Sequence, residues 1–358
     1  MTERKSKNIK PRSKNITGKK KKTSGRRSKH PSGSMHRVWR YLITGLAIVM
    51  LGWLAWGCFG PKTSRGKVIP FEPKHYQLEG AIYTGRLSHG KPDGPGVMQL
   101  SDGSVMAGTW NRGLREGVFR YSSAEHVTTF ALWKGDKAVE AVEPLRDQGA
   151  LYGVDISHYQ NEAWGAMMIC VDDKGKPIRK KDSDVNAWRS VDFVIIKATE
   201  GSDMRDSRYA YHSEMADILD IPQGAYHVFS SKGDVIAQVD NYMNVINGVH
   251  QDFPAVLDIE GSSREIPQSL FSEQEDSYVL WLETIAQRTG RKPMIYCCHD
   301  FYKHYGRNTK LSAYDFWIAD YNEKAQMNDC HLRQITDKGC MSGWAQYVDV
   351  DVLTSVKP

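Results

Sequence analysis

Hydrophobic runs that end in polar residues recur from residue 151 onward. The runs are YGVDIS (152–157), VDFVIIKATEG (191–201), PQGAYHVF (222–229), FPAVLDIE (253–260), KPMIYCC (292–298) and DFWIADY (315–321). Several are separated by stretches in which apolar residues recur at helical spacing, over 234–248 and 273–289. Ser272 and Glu275 are spaced as a capping box for the second helix. Strands alternating with helices predict a parallel sheet, closed as a barrel.

Polar and aromatic residues cluster where these predicted strands end, which is where barrel enzymes place their chemistry. Asp258 and Glu260 lie two residues apart, so a strand would put both carboxyls on one face. Like charges at that distance repel, and folding alone gives little reason for them. A solvated loop start, a metal site or a salt-bridge site remain alternatives for this stretch. Convergent carboxyls ringed by aromatic side chains suit a sugar chain as substrate.

The motifs VDISHYQ, IIKATEG, GAYHVF, VLDIE, IYCC, FWIADY and YVDVDVL are similar, in order and approximate spacing, to those of the glycoside hydrolase family 25 lysozymes. The resemblance covers residues 150–358 and implies an α/β fold, a flattened TIM-like barrel. It also implies cleavage of the β-1,4 bond after N-acetylmuramic acid in peptidoglycan. The catalytic positions it implies are Glu260 as proton donor, Asp258 as its partner, and Asp155 and Asp349 in the same cleft. The substrate-binding positions it implies are Glu200, Tyr226, His227, Tyr296, Trp317 and Tyr321.

The chemistry of glycoside hydrolysis agrees with this assignment, because it needs a proton at the leaving oxygen and a negative group near the sugar cation. Crowding is expected to keep Glu260 protonated while Asp258 stays charged. For Glu200 and His227, a structural role is the alternative to substrate binding. A chitinase would need acids where Phe253 and Val256 stand. A non-catalytic wall-binding or scaffold protein on the same barrel is the other alternative.

A 23-residue period precedes the barrel. Gly85, Gly90 and Gly94 recur as Gly108, Gly113 and Gly117, and a degraded third copy follows at FALWKGD. Such a period indicates stacked repeats, and apolar–polar alternation around glycine turns predicts β-hairpins. The pattern resembles the MORN repeat, and we place the repeat region at 76–140. It is either a contact surface for membrane, wall or a partner, or a rigid spacer.

Charge divides the chain sharply. Residues 1–40 hold 15 Lys or Arg and one acid, so the remaining residues carry a net charge of −8 within the total of +6. The tail 1–36 is too polar to fold and is expected to be disordered. Residues 41–60 carry no charged side chain and are long enough to cross a bilayer. We therefore predict a transmembrane helix at 37–60 and a linker at 61–75. A cleaved signal peptide, a lipoprotein site at Cys58 and a buried helix are the alternatives.

The basic tail lies on the cytoplasmic side by the positive-inside rule, which places the catalytic domain outside the cytoplasm, periplasmic or at the cell surface. The tail has no interleaved aromatics, so a topology signal or contact with anionic lipid is expected and nucleic-acid binding is not. The predicted partners are therefore peptidoglycan, the membrane, and a further partner or lipid at the repeats.

The cysteines have no CxxC spacing and form no Cys/His cluster, so no metal or cofactor is expected. Cys330 and Cys340 are expected to close a small loop if the compartment is oxidising. Residues 161–187 are longer than the family's usual connection and contain a predicted hairpin with a basic patch at 179–181. That insertion either overhangs the cleft or is a neutral surface feature.

Overall fold

The computed structural model describes residues 72–172, 175–178, 187–322, 330 and 332–354. The predicted tail and membrane segment, and most of the predicted linker, lie outside these residues, as does the basic patch of the insertion. Within the described ranges, no helix has both the length and the apolar character that a membrane crossing requires. The described residues all belong to one compact unit.

Antiparallel strands in sequence order form the first sheet, as the repeat predicts. These strands are β1 His75–Leu78, β2 Ala81–Ser88, β3 Lys91–Leu100, β4 Val105–Asn111, β5 Leu114–Ser122, β6 Thr128–Lys134 and β7 Lys137–Ala141. Three of the hairpins turn through two residues, at 89–90, 112–113 and 135–136, with φ between 51° and 88° at every position. Positive φ at both positions defines the type I′ turn, whose twist matches that of paired strands. The degraded third copy therefore keeps the turn of the first two.

One face of this sheet carries a row of aromatic rings. Trp110 packs edge-on against Tyr83 and Phe119, with ring centroids 5.3 and 4.8 Å away. A side chain at Gly85 would collide with the Tyr83 ring, and one at Gly108 with the Phe119 ring. The 23-residue spacing of these two glycines therefore reflects ring packing on the backbone.

The remaining strands belong to the barrel and its insertions. They are β8 Ala150–Ile156, β9 Met168–Val171, β10 Ala187–Ser190, β11 Phe193–Glu200, β12 Met204–Arg205, β13 Gln223–Val228, β14 Val256–Ile259, β15 Met294–Cys298, β16 Asp315–Ala319, β17 Leu332–Cys340 and β18 Tyr347–Thr354. Strands β8, β11 and β13 to β18 pair side by side and close through β18–β8 and β8–β11. All six strands predicted from the sequence are present in this closed eight-strand barrel.

The last barrel strand departs from the predicted parallel sheet. Strand β18 is antiparallel to both of its neighbours, β17 and β8, whereas the other barrel pairs are parallel. Only residues 341–346 join β17 to β18, and a parallel crossover needs a dozen residues or more. The short connection therefore forces a hairpin.

Helices cover the outside of the barrel between strands. The longer ones are α1 Tyr209–Ile218, α2 Val235–Ile246 and α3 Gln268–Thr289, and a short helix His299–Phe301 runs into a π-helical turn Tyr302–Gly306 and a 3-10 turn Lys310–Ala313. The predicted capping box of α3 is wrong. The helix begins five residues earlier than predicted, after Pro267, and the Ser272 hydroxyl donates to the Gln268 carbonyl oxygen at 2.8 Å. Glu275 instead accepts a hydrogen bond from the Lys310 amide.

The first part of the insertion between β8 and β11 belongs to the core, whereas Lys176 at its hairpin is exposed. Residues 162–171 are buried throughout. Ala166 and Met168 pack against Val118 and Phe130 of the first sheet, so the insertion lies between that sheet and the barrel. The predicted hairpin is present, because the Ile178 amide donates to the Cys170 carbonyl across the turn. Residues 173–174 and 179–186 lie outside the described residues, so the choice between a part that overhangs the cleft and a neutral surface feature stays a prediction.

Candidate active site

The antiparallel last strand brings the acids together. Parallel strands deliver their carboxyl ends to one mouth of the barrel, where Asp155 lies near the end of β8 and Asp258 near the end of β14. Strand β18 runs the other way, so its beginning reaches the same mouth. Asp349 is accordingly the direct cross-strand partner of Asp155.

A pocket of about 270 Å³ opens at this mouth. Its lining contains the four predicted catalytic acids and four of the predicted aromatic residues. The lining residues are Asp155, Ile156, Ser157, Tyr159, Gln160, Lys197, Tyr226, Asp258, Glu260, Tyr296, Trp317, Tyr321, Gln334, Asp337 and Asp349. Glu200 and His227 are the two predicted site residues outside this lining.

Gln334 on β17 organises one wall of the pocket. Its amide nitrogen donates to Asp155 Oδ2 at 2.7 Å. Its amide oxygen accepts from the hydroxyls of Tyr296 at 3.0 Å and Tyr321 at 2.8 Å. The two tyrosines therefore fix the amide so that its donor faces the carboxylate. Burial nevertheless raises the pKa of Asp155 to about 6, because the hydrogen bond from Gln334 offsets only part of the desolvation.

Asp351 lies beneath the pocket and is fully buried. The Trp317 indole nitrogen donates to its Oδ1 at 2.8 Å, and the carboxyl also hydrogen-bonds to Asp155. Two carboxyls share a hydrogen bond only if one is protonated. Burial and the charge of Asp155 raise the pKa of Asp351 well above its usual range, so we assign the proton to Asp351. Asp155 then accepts that proton's hydrogen bond and is the one that ionises.

Trp317 differs from the predicted sugar platform. Its side chain is 1% exposed and packs edge-on against Tyr296 at 4.5 Å between ring centroids. It therefore forms the floor of the pocket and holds Asp351. Tyr159, which the sequence did not single out, is 70% exposed at the rim, and its ring lies tilted against His158 at 4.3 Å between centroids. His158 is held in turn by Asp206, at 2.7 Å between Nδ1 and Oδ2.

Asp258 and Glu260 have different surroundings although they are two residues apart. Asp258 is buried, and its Oδ1 has no hydrogen-bond partner among the described residues. Burial first, and then the charges of Glu260 and Asp155, raise the pKa of Asp258 well above its usual range. This is opposite to the expectation that Asp258 stays charged. Glu260 follows the strand and is exposed to the pocket.

Glu200 reaches the pocket only through another residue. The Lys197 ammonium donates to its carboxylate at 2.8 Å, and Lys197 itself is buried and lines the pocket. This lysine is a cation within the acid cluster and favours the charged form of Asp258. The motif KATE thus contributes its lysine directly, which the sequence-based assignment of Glu200 missed.

His227 is packed inside the barrel wall, away from the pocket. Its side chain is 0% exposed and stacks on the Trp281 ring at 5.4 Å between centroids. Its Nε2 lies 3.2 Å from the Gln238 amide oxygen and its Nδ1 lies 2.7 Å from the Thr199 hydroxyl. Since an amide oxygen only accepts, Nε2 carries the proton and Nδ1 accepts from Thr199. Burial lowers the pKa of His227 to about 4, so the ring is neutral. His227 therefore has the structural role that was the alternative to substrate binding.

In comparison with known proteins, the barrel and the sheet match two different families. Residues 154–349 match the model of glycosyl hydrolases family 25, and residues 83–105 and 107–118 match the MORN repeat. The chain is 26% identical over 238 residues to the uncharacterized protein YegX of Escherichia coli strain K12, covering 65% of this chain and 81% of that protein. It is 27% identical over 172 residues to the autolytic lysozyme of Clostridium acetobutylicum, covering 47% and 51%. The structure of a family 25 glycosyl hydrolase from Bacillus anthracis matches with 20% identity and a TM-score of 0.44, covering 61% and 94%.

Proposed function

This chain belongs to the glycosyl hydrolases of family 25 and is a glycoside hydrolase of the lysozyme type, and we propose that it cleaves the β-1,4 bond after N-acetylmuramic acid in peptidoglycan. The observation that carries the proposal is the convergence of Asp155, Asp258, Glu260 and Asp349 on one pocket with tyrosines in its walls. Acids supply the proton and the negative charge that the reaction needs, and flat rings suit the faces of sugars.

Glu260 is proposed as the proton donor, because among the four predicted catalytic acids it is the exposed one and can reach a leaving oxygen. Asp258 is proposed to hydrogen-bond the substrate acetamide, since its raised pKa leaves it a proton to donate. Asp155, whose pKa is about 6, is largely ionised at pH 7 and is proposed to face the developing positive charge at the anomeric carbon. Tyr226 and Tyr321 are proposed to contact the sugar from the walls.

Digestion of purified peptidoglycan by the full chain tests this proposal. We expect muropeptides with muramic acid at the new reducing end, identified by borohydride reduction and mass spectrometry. Glu260→Gln should lower the rate at least about 100-fold, because it removes the transferable proton and keeps the side-chain shape. Glu273→Gln, an exposed change on α3 away from the pocket, should leave the rate unchanged. Glucosamine at the reducing end would show that the bond assignment is wrong.

The alternative of a non-catalytic wall-binding or scaffold protein gives a different result in the same assay. The wild-type chain would then sediment with peptidoglycan and release no muropeptide. The Glu260→Gln variant would sediment equally well. Release by the wild-type chain that the variant loses excludes the scaffold reading.

The placement of the enzyme is a further part of the proposal. Residues 37–60 are proposed to cross the membrane, with the tail 1–36 in the cytoplasm and the repeats (76–140) and catalytic domain (150–358) outside, joined to the membrane by the linker 61–75. The support is the uncharged stretch 41–60, which follows 15 Lys or Arg within residues 1–40. Protease added to right-side-out membrane vesicles should digest the catalytic domain and leave a tag on the tail intact. The opposite protection pattern would refute this orientation.

A further inference from the structure

The pairing of Cys330 with Cys340 that the sequence suggested is excluded by strand β17. The nine residues Leu332–Cys340 are extended between them and span roughly 25 Å at about 3.3 Å per residue. A disulfide needs its two Cα atoms within about 7 Å. Cys330 is instead held at the start of the strand, where its Sγ lies 3.1 Å from the Phe316 carbonyl oxygen.

Cys340 lies beside another cysteine, on the insertion strand β9. Ile169 of β9 pairs with Met341 in an antiparallel bridge. The Ser342 amide donates to the Met168 carbonyl oxygen at 2.8 Å, which fixes the register. In an antiparallel pair, one step forward on one strand faces one step back on the other. Extended by one residue past this single bridge, the register pairs Cys170 with Cys340, at the point where the Cys170 carbonyl accepts from the Ile178 amide.

The geometry of such a pair fits a covalent bond. Directly opposite residues on antiparallel strands have Cα atoms about 4.5 to 5.5 Å apart and side chains on the same face. Disulfides span Cα distances of about 4.4 to 6.8 Å. Both cysteines are buried, at 0% and 8% exposure, and the structure contains no disulfide between them.

We propose that Cys170 and Cys340 form a disulfide bond. The thiolate of one cysteine attacks a donor disulfide, either oxidised glutathione or a dithiol oxidase of the exporting cell, and releases one donor thiol. The thiolate of the other cysteine then attacks the mixed disulfide and releases the second donor thiol. The protein loses two electrons and two protons, and the donor disulfide gains both. Because the pair is buried in the native fold, the exchange takes place during folding.

The bond would join the buried insertion to a strand that forms part of the pocket wall. Strand β9 carries Met168, which packs against Val118 and Phe130 of the repeat sheet. Strand β17 carries Gln334, which positions Asp155. A disulfide between these strands would tie the sheet-bearing insertion to the strand that organises the pocket wall.

Peptide mapping of the full chain tests the proposal. Protein refolded in a glutathione redox buffer is blocked with N-ethylmaleimide under denaturing conditions and digested without reductant. We expect one linked pair of peptides, containing Cys170 and Cys340, that separates on reduction. Cys330→Ser should keep this link and Cys170→Ser should lose it. Recovery of both cysteines as blocked thiols, or a link from Cys340 to any other cysteine, would overturn the proposal.

Thermal unfolding gives a second, independent readout. In oxidising buffer, Cys170→Ser, Cys340→Ser and the double variant should have the same melting temperature, about 5–10 °C below that of the wild-type chain. In reducing buffer, the wild-type chain and the variants should have the same melting temperature. Additive losses from the two single changes under oxidising conditions would mean that the thiols only pack, and would contradict the bond.

Formation of the disulfide in the cell depends on the proposed location of the domain outside the cytoplasm. The disulfide and the location can be tested separately. The same peptide map, made on protein whose thiols are trapped at lysis, reports the compartment. A link that forms in the redox buffer and is missing in the trapped sample supports the disulfide geometry and refutes the proposed placement. Muropeptide release is scored separately, so failure of the hydrolase proposal leaves this test intact.

Discussion

Asp349→Asn should make the protein more stable at neutral pH and less active. Burial, followed by the charges of Asp155 and Asp337, raises the pKa of Asp349 from 3.8 to about 8. A carboxyl whose pKa is raised by folding destabilises the native state at every pH above its unfolded value. Its penalty is absent below about pH 3.8 and grows as the pH rises towards 8. Asparagine has the same shape and no charge to bury.

The size of the gain follows from that difference in pKa. At pH 7 about three pH units separate the unfolded pKa from the solution, at about 1.4 kcal/mol each, which gives a ceiling of about 4 kcal/mol. The pocket is open to water on one side, which reduces the penalty. We therefore expect Asp349→Asn to raise the free energy of unfolding by about 2–4 kcal/mol at pH 7 and by less than about 0.5 kcal/mol at pH 3.5.

Urea unfolding of the two proteins at pH 3.5, 5.5 and 7 measures this gain. Asp203→Asn is the control, because Asp203 is exposed on the loop before β12 and its removal should change nothing at any pH. Muropeptide release by Asp349→Asn should fall at least about 10-fold, the usual exchange of activity for stability at a strained site. An equal gain at pH 3.5 and pH 7 would refute the electrostatic reasoning, since it would assign the effect to packing.

Two further substitutions test how the rings and the buried acid are accommodated. Gly108→Ala should lower the free energy of unfolding by about 1–3 kcal/mol, because the new Cβ would lie 2.5 Å from the Phe119 ring. Adding Phe119→Leu should recover part of this loss. An unchanged melting temperature for Gly108→Ala would contradict the predicted collision. Asp351→Asn should keep the melting temperature at pH 7, because the amide still accepts from Trp317 and donates to Asp155. Asp351→Leu should cost about 2–5 kcal/mol, because it leaves the buried Trp317 indole N–H without an acceptor and leaves Asp155 with only the hydrogen bond from Gln334. Equal melting temperatures for the two Asp351 variants would refute the importance of these hydrogen bonds for stability.

The strands of the barrel were predictable because each one is short, apolar and bounded by residues that break the pattern. The boundaries of helix α3 were not, because Pro267 can begin a helix as well as precede one, and the Ser272–Glu275 spacing imitates a cap. The direction of β18 follows from the length of the connection before it, which can be judged only once β17 is recognised as a strand. The sequence of β17, LRQITDKGC, has neither strict alternation of apolar and polar residues nor a motif that would identify it as a strand.

The same missing strand explains which site residues the sequence failed to provide. Gln334 lies on β17 and makes its contacts across 179 residues, so no local pattern connects it with Asp155. Asp351 was visible in the terminal motif, but only the antiparallel direction of β18 turns it towards Asp155 and Trp317. Acids could be chosen by residue type, whereas their division into buried and exposed groups depends on packing that is distant in sequence.

The repeat sheet and the catalytic barrel are better understood as one folded body than as a spacer and its cargo. Val97 and Ala107 of the sheet belong to the same apolar core as Val154 and Ile156, the residues on either side of Asp155. The sheet also packs against the buried insertion, and its Arg120 guanidinium donates to the Leu219 carbonyl at the end of helix α1, at 2.7 Å. A pocket that holds several carboxyls out of water lowers the stability of its own strands. Because burial of apolar surface offsets that loss, the added sheet supplies part of the stability with which the barrel retains its acids.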